Sequence, residues 1–149
     1  MATKKERLVL WLLDARAMEN QAETMMGKHA LRLENYPELH ARIKRHIDET
    51  RQQIVRLDKC LKLFDATPTD DTAEIPASYP QAPGSDLVGN EMVNAAMAGY
   101  MFETMEVAMY TALATAAEQA NEPDIVRVCE TNLAEEQAMA DWLKSVCPR

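Results

Sequence analysis

The chain has 149 residues, a formal net charge of −8 and only four glycines, and 47% of it is hydrophobic, with Ala, Leu and Met prominent. That length carries one domain with a sizeable core, and the composition favours helix over strand. The acidic balance argues against a nucleic-acid partner, which needs clustered Lys and Arg, and no stretch approaches the ~20 apolar residues that span a bilayer.

Lys4, Lys5 and Arg7 ahead of Leu8 to Leu13 superficially resemble a secretion signal, but Asp14, Arg16 and Glu19 follow at once. Cys60, Cys129 and Cys147 share no short metal-type spacing. They read as reduced thiols, and the chain is expected to be cytoplasmic.

The first helix is expected over 4–33. Its stripe of Leu8, Leu12, Ala15, Glu19, Ala22 and Met26 is apolar except for one mid-length carboxylate. Gly27 is expected to weaken the end of this helix. Asn35-Tyr36-Pro37 makes a short link, with Pro37 suited to a first helical position and Glu38 to the helix dipole. So short a link makes the first two helices antiparallel neighbours. The second helix is expected over 38–65, where Ile43, Leu57, Cys60 and Phe64 mark the inner face. Between them, on the same face, stand His46, Glu49 and Gln53.

From 66 to 85 the periodicity stops, and Pro68, Pro76, Pro80 and Pro83 fall among Thr and Asp. A long irregular connection inside a small domain usually has a purpose. The second helix covers ~40 Å at 1.5 Å per residue, whereas this segment, extended, reaches ~65 Å. It can start the third helix at the opposite end of the bundle, with the second and third helices parallel. The expectation is an all-α, ferritin-like four-helix bundle: two antiparallel hairpins joined by a long crossover within a single domain, 1–149. The third helix, 86–120, turns Gly99, Glu103, Glu106, Tyr110, Leu113 and Ala117 inward; Asn121-Glu122-Pro123 breaks it. The fourth, 123–146, turns in Val126, Cys129, Leu133, Glu136, Ala140 and Leu143.

Each helix thus carries acid on its inner stripe: Glu19, Glu49, Glu103 with Glu106, and Glu136. The same interval separates Glu19 from Glu49 and Glu106 from Glu136, so two equal hairpins about a pseudo-twofold axis bring these four to one layer. Ala17-Met18-Glu19 against Thr104-Met105-Glu106, and Cys60 against Cys147, echo that register. Carboxylates in one buried layer cannot all stay ionised without cations. Two divalent ions would neutralise them, and oxygen-rich ligation with at most one imidazole suits iron or manganese better than zinc. Any one of these acids alone reads more readily as a solvated helix position than as a ligand; it is their joint placement at mid-stripe that points to metal. Glu23, Glu34, Glu118, Glu130 and Glu135 fall off the stripes as surface charge, and His29 and His40, near helix ends, are expected to be exposed. The ten Met residues read as core filler. Tyr110, one turn from Glu106, serves either as a donor to a ligand or radical relay, or as core packing with a satisfied hydroxyl.

Several motifs resemble a known family. They are Leu13-Asp14 with Ala17-Met18-Glu19-Asn20-Gln21, Asn35-Tyr36-Pro37-Glu38-Leu39, and His46-x-x-Glu49-Thr50-x-x-Gln53-x-x-x-Leu57. Phe102-Glu103-x-x-Glu106-x-x-x-Tyr110 and Leu133-x-Glu135-Glu136-x-x-Met139-Ala140-Asp141-Trp142-Leu143 complete the set. The chain is similar in these to the YciE/YciF ferritin-like proteins, most closely the YciE branch, over nearly everything outside the crossover. The resemblance implies a bacterial, cytoplasmic, dimeric, stress-associated bundle with a di-iron centre of rubrerythrin type and ferroxidase activity. It implies Glu19 as the acid of the first helix, Glu49 of the second, the Glu103/Glu106 pair of the third and Glu136 of the fourth. In that scheme Glu49 and Glu106 bridge two ions, Glu19, Glu103 and Glu136 are terminal, and His46 is an extra ligand or a hydrogen-bond partner of one.

The chain departs from the Glu-x-x-His pattern usual in ferritin-like oxidases, with Gln52 three residues after Glu49 and Met139 three after Glu136. Two readings stay open. One is a di-metal carboxylate protein, holding two iron ions or manganese, that oxidises Fe(II) with O2 or peroxide. The other is a non-catalytic dimeric bundle whose degenerate or structural metal site serves partner binding under stress.

Overall fold

A computed structural model describes residues 1–68 and 91–146. The crossover beyond residue 68, the expected start of the third helix at 86–90, and Cys147 lie outside the described residues. Four helices make up the fold: α1 (Lys4–Arg32), α2 (Pro37–Lys62), α3 (Glu91–Gln119) and α4 (Pro123–Val146).

Local chemistry accounts for their ends. Thr3 and Glu6 form a reciprocal capping box at the start of α1. Tyr36 (φ −120°, ψ 78°) leaves the helical region ahead of Pro37, which opens α2 at a position where its missing N–H costs no hydrogen bond. Asp65 after α2 and Asn121 after α3 take left-handed backbone (φ 52° and 57°), the conformation in which helices commonly stop. Gly27 does not end α1, which continues to Arg32.

The inner stripes of α1 and α3 are buried, apart from a partly exposed Gly99. On α4 the inward phase is turned slightly from the expected one: Val126 and Leu133 are half-buried, while their neighbours Ile125 and Asn132 are fully buried. A stripe wider than one residue per turn leaves this choice to tertiary packing. His29 and His40, expected to be exposed, are half-buried.

The apolar core is divided in two. One cluster joins Leu8 and Leu12 of α1, Leu57 and Leu61 of α2, Leu113 and Ala117 of α3, and Ile125 and Cys129 of α4. The other joins Met26 and Ala30, Leu39 and Ile43, Ala96, and Met139 with Leu143. The C-terminal halves of α2 and α3 therefore share one end with the N-terminal halves of α1 and α4. So α2 and α3 run parallel and each hairpin is antiparallel, the topology of a ferritin-like bundle. Among the described residues α1 packs on α2 and α3, and α4 on α3 and α2, leaving α1–α4 and α2–α3 as diagonals. Cys60 and Cys129 are free thiols in the first cluster, where burial pushes them up to about 11 and about 12, out of the reactive range. No helix among the described residues is long and apolar enough to cross a membrane.

Candidate metal centre

The gap between the two apolar clusters is filled by polar side chains. Glu19, His46, Thr50, Gln53, Glu103, Glu106, Asn132 and Glu136 are all buried, none more than 1% exposed. The stripe positions put them there: each is spaced from apolar neighbours by three, four or seven residues, so it must point inward once those neighbours do.

Their donor atoms form two groups. In one, His46, Glu103 and Glu136 offer atoms within 4.8 Å of one another; in the other, Glu19, Glu106 and Glu136 do the same. Glu136 belongs to both. His46 Nε2 lies 3.2 Å from Glu103 Oε2 and 3.1 Å from Glu136 Oε2, and its Nδ1 lies 2.6 Å from Glu49 Oε2. Tyr110 donates its hydroxyl to Glu19 Oε1, and Asn132 Nδ2 donates to the Tyr110 oxygen at 3.1 Å.

Electrostatics follows from this packing. Burial alone lowers His46, but its contacts with Glu103, Glu136 and Glu49 outweigh it and carry the imidazole from 6.5 up to about 12. Burial lifts Glu103 to about 8, and burial with the neighbouring acids lifts Glu19 and Glu106 well above the carboxylate range. Glu136 moves the other way: burial opposes ionisation, but hydrogen bonds from His46, Glu103 and Gln53 prevail. Burial, then the Glu19 charge, raise the Tyr110 phenol. Without a cation the layer therefore sets the His46 imidazole among acids whose ionisation burial opposes, Glu19, Glu103 and Glu106, with Glu136 the one carboxyl shifted toward its charged form.

Several oxygens have no hydrogen-bond partner: Glu19 Oε2, both oxygens of Glu106, Glu136 Oε1, Gln53 Oε1 and Thr50 Oγ1. Buried acceptors without donors are uncommon and costly. Here four of them are carboxylate oxygens belonging to one donor group, the hard, anionic set that suits iron or manganese. The residues present fit a pair of divalent ions sharing Glu136.

The six residues singled out from the sequence do not stand equally. Glu19, His46, Glu103, Glu106 and Glu136 meet in the layer. Glu49 stands outside both groups; its side chain is 28% exposed, holding His46 Nδ1 and facing Arg42 at 3.5 Å. Asn132 and the buried Arg42 were missed by sequence reasoning. Asn132 lies four residues before Glu136 on the buried face, and that spacing was the available signal. Glu135, read as surface charge, is half-buried and paired with Arg56 at 2.5 Å.

A family profile described as a domain of unknown function, DUF892, matches residues 3–149. A protein of Xanthomonas campestris with a crystal structure is 39% identical; the match covers 96% of this chain and 89% of that one, with a TM-score of 0.80. The Escherichia coli stress protein YciF shares the fold at 21% identity (TM-score 0.80, 99% and 96% coverage). So does a protein of Bacillus anthracis described as a ferritin-like di-iron-carboxylate protein, at 20% identity (TM-score 0.75, 99% and 100%). The chain belongs to the DUF892 family, and its fold is the ferritin-like bundle that YciF also adopts.

Proposed function

We propose that this protein binds two iron ions, or manganese in their place, in the mid-bundle layer and oxidises Fe(II) with O2 or peroxide. The observation that carries this reading is the pair of buried donor groups sharing Glu136, with unpartnered carboxylate oxygens in one of them. Fe(II) supplies the electrons that reduce the oxidant; the chain supplies geometry, a dry pocket and proton handling.

Each residue has a distinct task. Glu136 serves both positions, Glu103 and His46 one of them, and Glu19 and Glu106 the other. As a ligand His46 would bind through Nε2 in its neutral form, while Glu49 accepts from Nδ1–H and so fixes tautomer and ring orientation. Glu49 is thus a positioning residue in this scheme. Tyr110, itself held by Asn132, keeps one Glu19 oxygen engaged and leaves the other free. The stress association named for YciF and a cytoplasmic location belong to the same reading.

A homodimer does too. From Met92 to Ala117 the charges on α3 are the buried Glu103 and Glu106, so its outer face, with Met97, Met101 and Ala108, is uncharged. Two copies of charge −8 repel least when that face is turned inward.

Anaerobic Fe(II) titration followed by oxygen tests the activity. Two ions per chain, oxidised stoichiometrically in the wild type and not in Glu136→Ala, is the expected result; no oxidation in either removes the ferroxidase reading. A non-catalytic bundle is favoured by a separate observation. His46 already touches Glu49, Glu103 and Glu136, so the layer is partly neutralised without metal. Protein purified without chelators that is folded, dimeric and metal-free supports that alternative.

A further inference from the structure

Both ends of the acid layer are closed by apolar clusters, which leaves open how a hydrated cation reaches it. The ion pairs Arg16–Asp58 and Arg51–Glu23 bind α1 to α2 without touching the layer. On the His46 side, the imidazole is already engaged at both nitrogens and the buried Arg42 guanidinium faces Glu49. That guanidinium opposes an incoming cation.

The α2–α4 seam differs. At its edge Arg56 Nη1 contacts Glu135 Oε1 at 2.5 Å, with the side chains 31% and 21% exposed. Behind them the fully buried Gln53 donates Nε2 to Glu135 Oε2 at 3.5 Å, while its Oε1 has no partner. The same amide also faces Glu136. Glu136 Oε1 is also buried and unpartnered. Glu135, Gln53 and Glu136 therefore lead from a half-exposed edge to the carboxylate common to both donor groups. Arg56 has a second acceptor, Asn132 Oδ1 at 2.9 Å, to hold when Glu135 is taken.

Iron(II) and manganese(II) give up water readily only where oxygen or nitrogen ligands replace it. A bare apolar passage leaves the ion's charge unsolvated, whereas a file of oxygens exchanges hydration one ligand at a time.

We infer that divalent cations enter through the α2–α4 seam, with Glu135 as the first protein ligand, Gln53 Oε1 as the relay to Glu136, and Arg56 as the cation that closes the seam until it is displaced onto Asn132. This rests on the di-metal reading above.

Co(II), redox-silent and visible through its ligand-field absorption, is the probe. Metal-free full-length protein is mixed with Co(II) by stopped flow, and the final content is measured by mass spectrometry. Glu135→Gln should slow loading about tenfold, the low end of electrostatic steering, with unchanged final content. Arg56→Gln should speed it, and Glu130→Gln, which removes the same charge from an exposed position on α4, should match the wild type. Wild-type protein that loads while Glu135→Gln loads equally fast overturns the route alone. So does equal slowing by Glu130→Gln, which assigns the effect to net charge. Wild-type protein that takes up no Co(II) overturns the route and the di-metal reading together.

Discussion

At the scale of single residues, acids in the layer oppose the stability of the metal-free protein. Glu106 is the clearest case, since neither oxygen has a hydrogen-bond partner and burial opposes its ionisation. Replacing such a group by an apolar one of similar shape recovers about 1–3 kcal/mol. Glu106→Met should therefore raise the urea midpoint of the metal-free protein and lose metal in content analysis; a lower midpoint means that the carboxyl is satisfied. The pH dependence has a definite sign. Glu103 rises from 4.5 to about 8 and His46 from 6.5 to about 12, so both bind their protons more tightly in the folded state. Their stabilisation is complete below the unfolded values and fades as pH climbs through the folded ones. Glu136 and Glu49 are lowered, so theirs is lost on acidification below 4.5. Thermal melts of metal-free protein should accordingly weaken from mildly acidic pH toward pH 8. Bound metal, which replaces protons at these groups, should reverse that trend. The candidate residues were legible because a carboxylate on an apolar stripe is conspicuous in one dimension. Glu49 was placed less well: its stripe spacing suits the interior, but His46 fills the position facing the other helices and leaves Glu49 at the rim.

At the scale of helices, sequence periodicity located all four but not their fine phase. In α4, Ile125 and Val126, like Asn132 and Leu133, are neighbours that divide one broad face, and only contact with α3 and α2 decides which of them is fully buried. The two described glycines separate propensity from packing. A Cβ on Gly27 meets nothing within 4 Å, whereas one on Gly99 comes 3.0 Å from Leu143 Cδ1. Gly27→Ala should thus stabilise the fold by about 1 kcal/mol, the intrinsic helix preference. Gly99→Ala must push the Leu143 tip aside, which offsets the same gain. Denaturant midpoints of the two variants should differ, and equal increases show that the α3–α4 contact yields without cost.

At the scale of the whole molecule, the parallel course of α2 and α3 was readable from chain lengths alone, because a link long enough to cross the bundle has little other reason to be there. What the sequence does not encode visibly is which face the proposed dimer would use. The physical clue is an absence of charge: α3 exposes Met97 and Met101, at 36% and 37%, along a helix whose two central acids face inward. An uncharged face is the least costly to cover, and in a bundle of net charge −8 this strip is where a second copy would meet least repulsion. Introducing like charges there should separate the proposed dimer without disturbing the layer, since neither methionine reaches it. Met97→Lys combined with Met101→Lys should halve the mass seen by light scattering, while helical circular dichroism and metal content stay at wild-type values. A variant that remains dimeric moves the interface to another face, and one that loses metal along with its partner ties the integrity of the acid layer to dimerisation.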